Sequence, residues 1–189
     1  VVGRDPAGDE LLARFHATGV PTDGIVTENG RPTPVKTRIM AGGYQATRQQ
    51  VVRLDREPPT ELQTITEDAL VTRLTALAER ADAILVSDYG YGTVTPRVFE
   101  RIRSIARRNS AVVSVDSRYQ LPRFTGETAA TPNEAELAHL AGEPVDDERG
   151  VEQAGRQLLE RPDAQTLLAT RGSRGMALLE RDGGTRFIP

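Results

Sequence analysis

The chain has no cysteine and no tryptophan among its 189 residues. The first absence excludes disulfides and every cysteine-based metal centre. The second, with only four tyrosines and four phenylalanines, leaves the core to Leu, Val, Ile and Ala. No apolar run reaches the length of a membrane span, and nothing at Val1 reads as a secretory leader. Both, with the missing cysteines, point to the cytoplasm and to no membrane partner. Neither sign of charge dominates: 24 Lys and Arg face 27 Asp and Glu, for a formal charge of −3. That balance carries no global nucleic-acid footprint, so any basic site must be local. The two histidines, His16 and His139, sit in separate helical patterns, which excludes a paired-His metal site and a Ser-His-Asp arrangement. G-x-x-x-x-G-K-[ST] is also missing, which removes the P-loop ATPases.

What is present is an alternation. Asp5 caps a helix that opens with Pro6 and stops at Gly19, with Leu11, Leu12 and Phe15 on its apolar face. A second helix runs from Thr66 to Ala81, with Leu70, Leu74 and Leu77 at helical spacing. Then come the strand Ala83–Val86, a Gly-rich loop from Ser87 to Gly92, and a helix from Thr95-Pro96 burying Val98, Phe99, Ile102, Ile105 and Ala106. Strands follow at Ala111–Val115, Thr128–Ala130 and Gln165–Thr170, with helices at Asn133–Leu140 and Glu148–Glu160 between the last two. A hairpin around Asp182-Gly183-Gly184 closes the chain. Apolar strands alternating with amphipathic helices predict an α/β fold: a mainly parallel sheet covered by helices on both faces, with ligands outside the carboxyl ends of the strands.

Residues 32–57 read differently. Two β-prone runs carry Lys36, Arg38, Arg48, Arg53 and Arg56 around a turn at Ala41-Gly42-Gly43-Tyr44. So polar a hairpin cannot fill a core and is expected to form a small β-lid. Lys36 and Arg38 alternate and share a face. They either grip an anionic substrate or guard a solvated edge.

Four strand ends are polar and glycine-bearing. Asp88 and Tyr89 follow the first strand and Asp116 and Arg118 the second. Thr131-Pro132-Asn133-Glu134-Ala135-Glu136 follows the third, and Thr170-Arg171-Gly172-Ser173-Arg174-Gly175 the fourth. Asn133 and Glu136 lie three apart at a helix start. They can form a capping box or offer oxygen ligands of the kind Mg²⁺ prefers. The last segment can cradle phosphate on its backbone amides, or merely turn the chain.

The Thr-Pro-Asn-x-x-Glu and Thr-Arg-Gly-Ser-Arg-Gly-Met segments resemble those of the ribokinase-like (PfkB) carbohydrate kinases. Pro34–Ile39, Gln49-Gln50-Val51-Val52-Arg53-Leu54-Asp55 and Ser87-Asp88-Tyr89 are similar to the D-glycero-β-D-manno-heptose-7-phosphate kinases, the kinase half of bifunctional ADP-heptose synthesis proteins. The resemblance implies a ribokinase-like fold and transfer of phosphate from ATP, with Mg²⁺, to the anomeric hydroxyl of a sugar phosphate. It implies nucleotide contacts at Asp116, Arg118, Asn133, Thr170, Gly172 and Gly175, and Mg²⁺ at Asn133 and Glu136. It places substrate contacts at Lys36, Arg38, Arg53, Asp88 and Tyr89, and pairing of two copies through the lid. Relatives often have Asp-Pro-Lys where this chain has Asp116-Ser117-Arg118. On this reading residues 1–189 are the central part of one kinase domain. Its sugar motif precedes Val1 and its catalytic Asp follows Pro189, so no catalytic residue lies in the chain and the piece alone is expected to be inactive. Two other readings share these features: a kinase for another sugar, and a non-catalytic sugar- or nucleotide-binding regulator.

Overall fold

A computed structural model of the chain describes residues 1–42, 48–118, 120–126, 128–160 and 164–189. Gly43 and Tyr44, expected to turn the hairpin, lie outside the described residues. Val1–Arg73 and Leu74–Pro189 form separate compact units.

In the first unit, β1 (Val2–Gly3) pairs in parallel with β2 (Thr27–Glu28), and α1 spans Pro6–Ala17 between them. Asp5 organises this region. Its Oδ1 accepts from the Gly8 amide, capping α1, and from the Thr33 hydroxyl at 2.7 Å, while Oδ2 accepts from the Thr33 amide. The Thr33 hydroxyl in turn accepts from the Gly3 amide. The Thr33 side-chain bond first, then the backbone bonds, hold the Asp5 carboxyl at about 2, below its ordinary 3.8. Gly3 has no room for a side chain, since a Cβ would strike the Arg31 carbonyl.

This unit also holds the hairpin of β3 (Val35–Ala41) and β4 (Gln49–Arg56), with a register shift between Ile39 and Met40. Arg38 stands directly opposite Arg53, and Lys36 opposite Asp55. Side chains opposite one another share a face, so Lys36, Arg38 and Arg53 lie together. The other face carries Val35, Thr37, Ile39, Val52 and Leu54. Every residue of β4 is exposed, Leu54 at 57%.

Helix α2 (Thr64–Ala78) crosses the boundary between the units. Of the expected apolar stripe, Leu70 and Leu74 are half-buried and Leu77 is exposed. Periodicity identifies the apolar face of a helix but not whether anything covers it.

The second unit is a six-stranded sheet in the order β10-β9-β8-β7-β6-β5. Strands β5 (Ala83–Asp88), β6 (Val112–Ser117), β7 (Ala129–Ala130) and β8 (Thr166–Thr170) are parallel. Strands β9 (Met176–Glu180) and β10 (Thr185–Ile188) add an antiparallel hairpin. The pairing aligns Val86, Val115, Ala130, Leu167 and Leu179 in one row, all buried. Helix α3 (Pro96–Asn109) buries the five side chains its pattern predicts, and Phe99 meets Phe124 edge-on. Helix α4 (Glu134–Ala141) packs on α5 (Glu148–Leu159). At Gly155, α5 approaches the sheet so closely that a Cβ would lie 2.7 Å from Leu179 Cδ2. The opposite row is less covered: Leu85 is 74% exposed and Ser114, Ala129 and Thr166 are half-buried. The mainly parallel sheet with its helices is as expected, and its two faces differ in burial. Burial alternates along β6, β8 and β9 as in a sheet with one dominant core face.

Candidate functional site

The strands end later than their apolar runs suggest, and that extension builds the site. Ser87 and Asp88 were expected in a loop, and Asp116 beyond its strand. Instead Ser87 pairs with Asp116 and Asp88 with Ser117 at the carboxyl ends of β5 and β6. The ladder persists because the Ser117 hydroxyl donates to Asp88 Oδ2 at 2.9 Å in a buried setting. The other carboxylate oxygen of Asp88 accepts from the Gly90 amide. Gly90 has φ +77°, a conformation that favours glycine. Asp88 is therefore buried with both oxygens engaged, a brace between two strand ends.

Along the same edge, Thr131 follows β7, and Asn133 forms a parallel bridge with Thr170 at the end of β8. The Thr170 amide donates to the Pro132 carbonyl. Asp88, Asp116, Thr131, Asn133, Glu136 and Thr170 border one cavity of about 300 Å³, with Tyr89 and Arg118 on its wall. Eight residues from four strand ends thus converge, all within the second unit.

Asn133 and Glu136 form a reciprocal capping box. Asn133 Oδ1 accepts from the Glu136 amide at 2.9 Å, and Glu136 Oε2 accepts from the Asn133 amide at 3.0 Å. The two readings of this pair are compatible, because both side chains also border the cavity. Among the described residues no group of three or more acidic or histidine side chains is placed to hold a metal by itself. The oxygen donors Asp116, Asn133 and Glu136 around one cavity fit Mg²⁺ all the same. That ion takes one or two protein carboxylates and completes its shell with water and substrate phosphates.

The glycine loop is a short 3-10 turn over Gly172–Arg174. The amides of Arg171, Arg174 and Gly175 are bonded to carbonyls within it. Gly175 has φ +81°, and a Cβ there would strike the Ile188 carbonyl, so only glycine fits. Gly172 has φ +58° with open space around it. Neither borders the cavity, whereas Thr170 does. The loop's guanidinium groups are paired with acids. Arg171, with its side chain only 5% exposed, meets Glu134 Oε1 at 3.1 Å and lies over the Phe187 ring. Arg174 meets Glu134 Oε2 at 2.8 Å. Sequence reasoning missed Glu134, which sits between two residues of an obvious motif and has no spacing signal toward arginines some forty positions away. It also missed Ser117, whose role appears only once β5 lies beside β6. Lys36, Arg38 and Arg53 belong to the first unit, on one face of its hairpin.

The sequence profile of the pfkB family carbohydrate kinases matches residues 1–189. The chain is 37% identical over 190 residues to the bifunctional protein HldE of Gluconacetobacter diazotrophicus, covering all of this chain and 38% of that protein. It is 36% identical, with the same coverage, to the bifunctional protein HldE of Geobacter sulfurreducens. The chain thus spans well under half the length of these relatives. Among solved structures, ribokinase from Giardia lamblia superimposes with a TM-score of 0.73 at 19% identity, over 99% of this chain and 60% of that one. Phosphofructokinase-2 from Escherichia coli, solved with substrates and products, gives 0.73 at 14% identity over 99% and 59%. The fold is ribokinase-like, with its mostly parallel sheet and helices. No described helix is long and apolar enough to cross a membrane.

Proposed function

The chain belongs to the pfkB family of carbohydrate kinases, and from that premise we propose that its parent protein moves the γ-phosphate of ATP onto the anomeric hydroxyl of a sugar phosphate in the cytoplasm. D-glycero-β-D-manno-heptose 7-phosphate is the first candidate acceptor. The observation that carries the reading is the cavity at the carboxyl edge of β5–β8, where acids, an amide, two threonine hydroxyls, a phenol and one guanidinium converge.

In this reading Asn133, Thr170 and Arg118 hold the triphosphate, and the turn at Gly172–Gly175 shapes the nucleotide side. Asp116, Asn133 and Glu136 would hold Mg²⁺. Mg²⁺, when bound, offsets charge on the phosphoryl oxygens. The protein's share is position: groups fixed at strand ends lose little freedom when phosphate arrives, which favours in-line transfer. No residue of this chain is assigned as the base that takes the acceptor's proton. Asp88 supports the pocket floor through Ser117 and Gly90 rather than by direct contact.

Lys36, Arg38 and Arg53 are the assigned grip on the acceptor's phosphate. Arg38 and Arg53 stand directly opposite, and Arg53 also meets Asp55 at 3.0 Å, so a bound phosphate would join one carboxylate in offsetting the two like charges. The apolar reverse face, with Ile39, Val52 and Leu54, is assigned to a second copy of the protein. A monomer in sedimentation at micromolar concentration would end that assignment.

The test is a phosphorylation screen with the full-length protein, ATP and a panel of hexoses, pentoses and seven-carbon sugar phosphates, read by phosphorus NMR. The expected product carries a new phosphate at the anomeric carbon of the heptose phosphate. Turnover confined to unphosphorylated sugars would refute the acceptor, and ATP binding without turnover on any sugar would refute the activity.

A further inference from the structure

Three of the side chains that border the cavity, Asp88, Asn133 and Glu136, are occupied by the protein itself, and so are the arginines of the neighbouring glycine loop. Asn133 and Glu136 bond to each other's backbone. Asp88 spends one oxygen on Gly90 and the other on Ser117. Arg171 is paired with Glu134 and Glu148, and Arg174 with Glu134. Arg118 differs. Among the described residues its guanidinium has no carboxylate partner, and it lies over the Tyr89 ring, 5.2 Å from the centroid.

The backbone on both sides of this contact is fixed. Tyr89 stands between Asp88, the last residue of β5, and Gly90, whose amide is bonded back to the Asp88 carboxylate. Arg118 follows Ser117, whose hydroxyl is bonded to the same carboxylate, and the Arg118 amide donates to the Asp88 carbonyl. One buried carboxylate thus sets the positions from which both side chains project. The Tyr91 ring lies nearly parallel to that of Tyr89, with centroids 6.5 Å apart.

A guanidinium stacked on a ring gives its flat face to the aromatic system and keeps its N–H edge for acceptors in its own plane. Such an edge matches two oxygens of one phosphoryl group. We propose that Tyr89 is the seat that holds Arg118 in place as a preformed phosphoryl-binding group for the nucleotide, which makes Tyr89 a positioning residue rather than a sugar contact. The proposal rests on the kinase reading above. It favours the nucleotide over the acceptor as the source of the phosphoryl group because Asn133 and Thr170 border the same cavity. It also accounts for an arginine at this position: a lysine keeps the charge but has no plane to stack and no fork to present.

The test uses the full-length protein, titrated with Mg-ATP by calorimetry and assayed for KM of both substrates. Tyr89→Leu, which leaves every charge in place, is expected to weaken ATP binding roughly three- to tenfold, as for loss of a partly exposed cation–π contact. Tyr89→Phe is expected to restore the affinity, and R118K to behave like Tyr89→Leu. In the Y89L/R118K double variant the loss is expected to equal that of R118K alone, because an unseated arginine and a lysine share the same defect. Additive losses would overturn the proposal. So would a Tyr89→Leu effect confined to the sugar-phosphate KM, which would make Tyr89 an acceptor contact. Retained ATP turnover with all variants unchanged refutes the seat alone. Absence of any Mg-ATP binding by the unmodified protein refutes the kinase reading and the proposal with it.

Discussion

The six-stranded sheet and the two-stranded hairpin both come from β-prone, alternating sequence, yet they are held in different ways. In the sheet, one row of side chains from Val86 through Val115, Ala130 and Leu167 to Leu179 is buried from end to end. In the hairpin, β4 buries nothing, and Arg38 faces Arg53 across the ladder. An isolated two-stranded ribbon is marginal in water. The difference separates two kinds of functional surface. The strand-end cavity is preformed, its groups fixed by a core that folds for its own reasons. The hairpin presents charge on one face and largely apolar surface on the other, with no buried row to hold it.

The largest effect that tests this contrast lies in the core. Leu179→Ala is expected to cost about 3 to 5 kcal/mol, whereas Leu54→Ala on the hairpin stays within about 0.5 kcal/mol. Chemical denaturation of both variants measures the difference. Similar losses would mean that the hairpin is as firmly packed as the sheet.

Next come effects read mainly in function. Asn133→Ala is expected to cost about 1 kcal/mol of stability through the lost cap and to lower kcat/KM for ATP by about ten- to a hundredfold. Lys36→Ala with Arg38→Ala is expected to raise the sugar-phosphate KM by a similar factor, leaving both the ATP KM and the denaturation midpoint near their starting values. Equal effects on the two substrates would erase the division of labour between cavity and hairpin.

The smallest effect is a pH dependence at the foot of the hairpin, where Arg56 reaches Asp5 at 3.2 Å. The folded carboxyl of Asp5 titrates at about 2, below its ordinary 3.8. Its contribution is therefore fully present above the unfolded value and is lost as pH falls through about 2. Asp5→Asn is expected to flatten the acid limb of stability between those values, as followed by circular dichroism. An unchanged acid limb would show that the Thr33 and Gly8 bonds do not favour the charged form.

The sequence exposed most elements because their signals are local. Thr95-Pro96 and Asp5-Pro6 open helices, and five apolar positions from Val98 to Ala106 fall on one face of α3. Strand ends were harder to read. Ser87, Asp88 and Asp116 are polar and look like loop, but pairing with the neighbouring strand keeps them in the ladder. The stripe on α2 misled in the other direction, since Leu77 is apolar and yet exposed. Burial is a property of the partner as much as of the residue.

For the site, the sequence by itself determined which segments are candidates, since a motif such as Thr-Pro-Asn-x-x-Glu is contiguous and needs no neighbour to be read. Only the tertiary structure decided which charges are left over for a ligand. Arg118, Arg171 and Arg174 are alike in sequence. A carboxylate some forty positions away occupies two of them, while a tyrosine nearly thirty positions away holds the third at the cavity wall. The reason is physical: electrostatics and hydrogen bonding act through space over a few ångströms, and only folding sets which groups come that close.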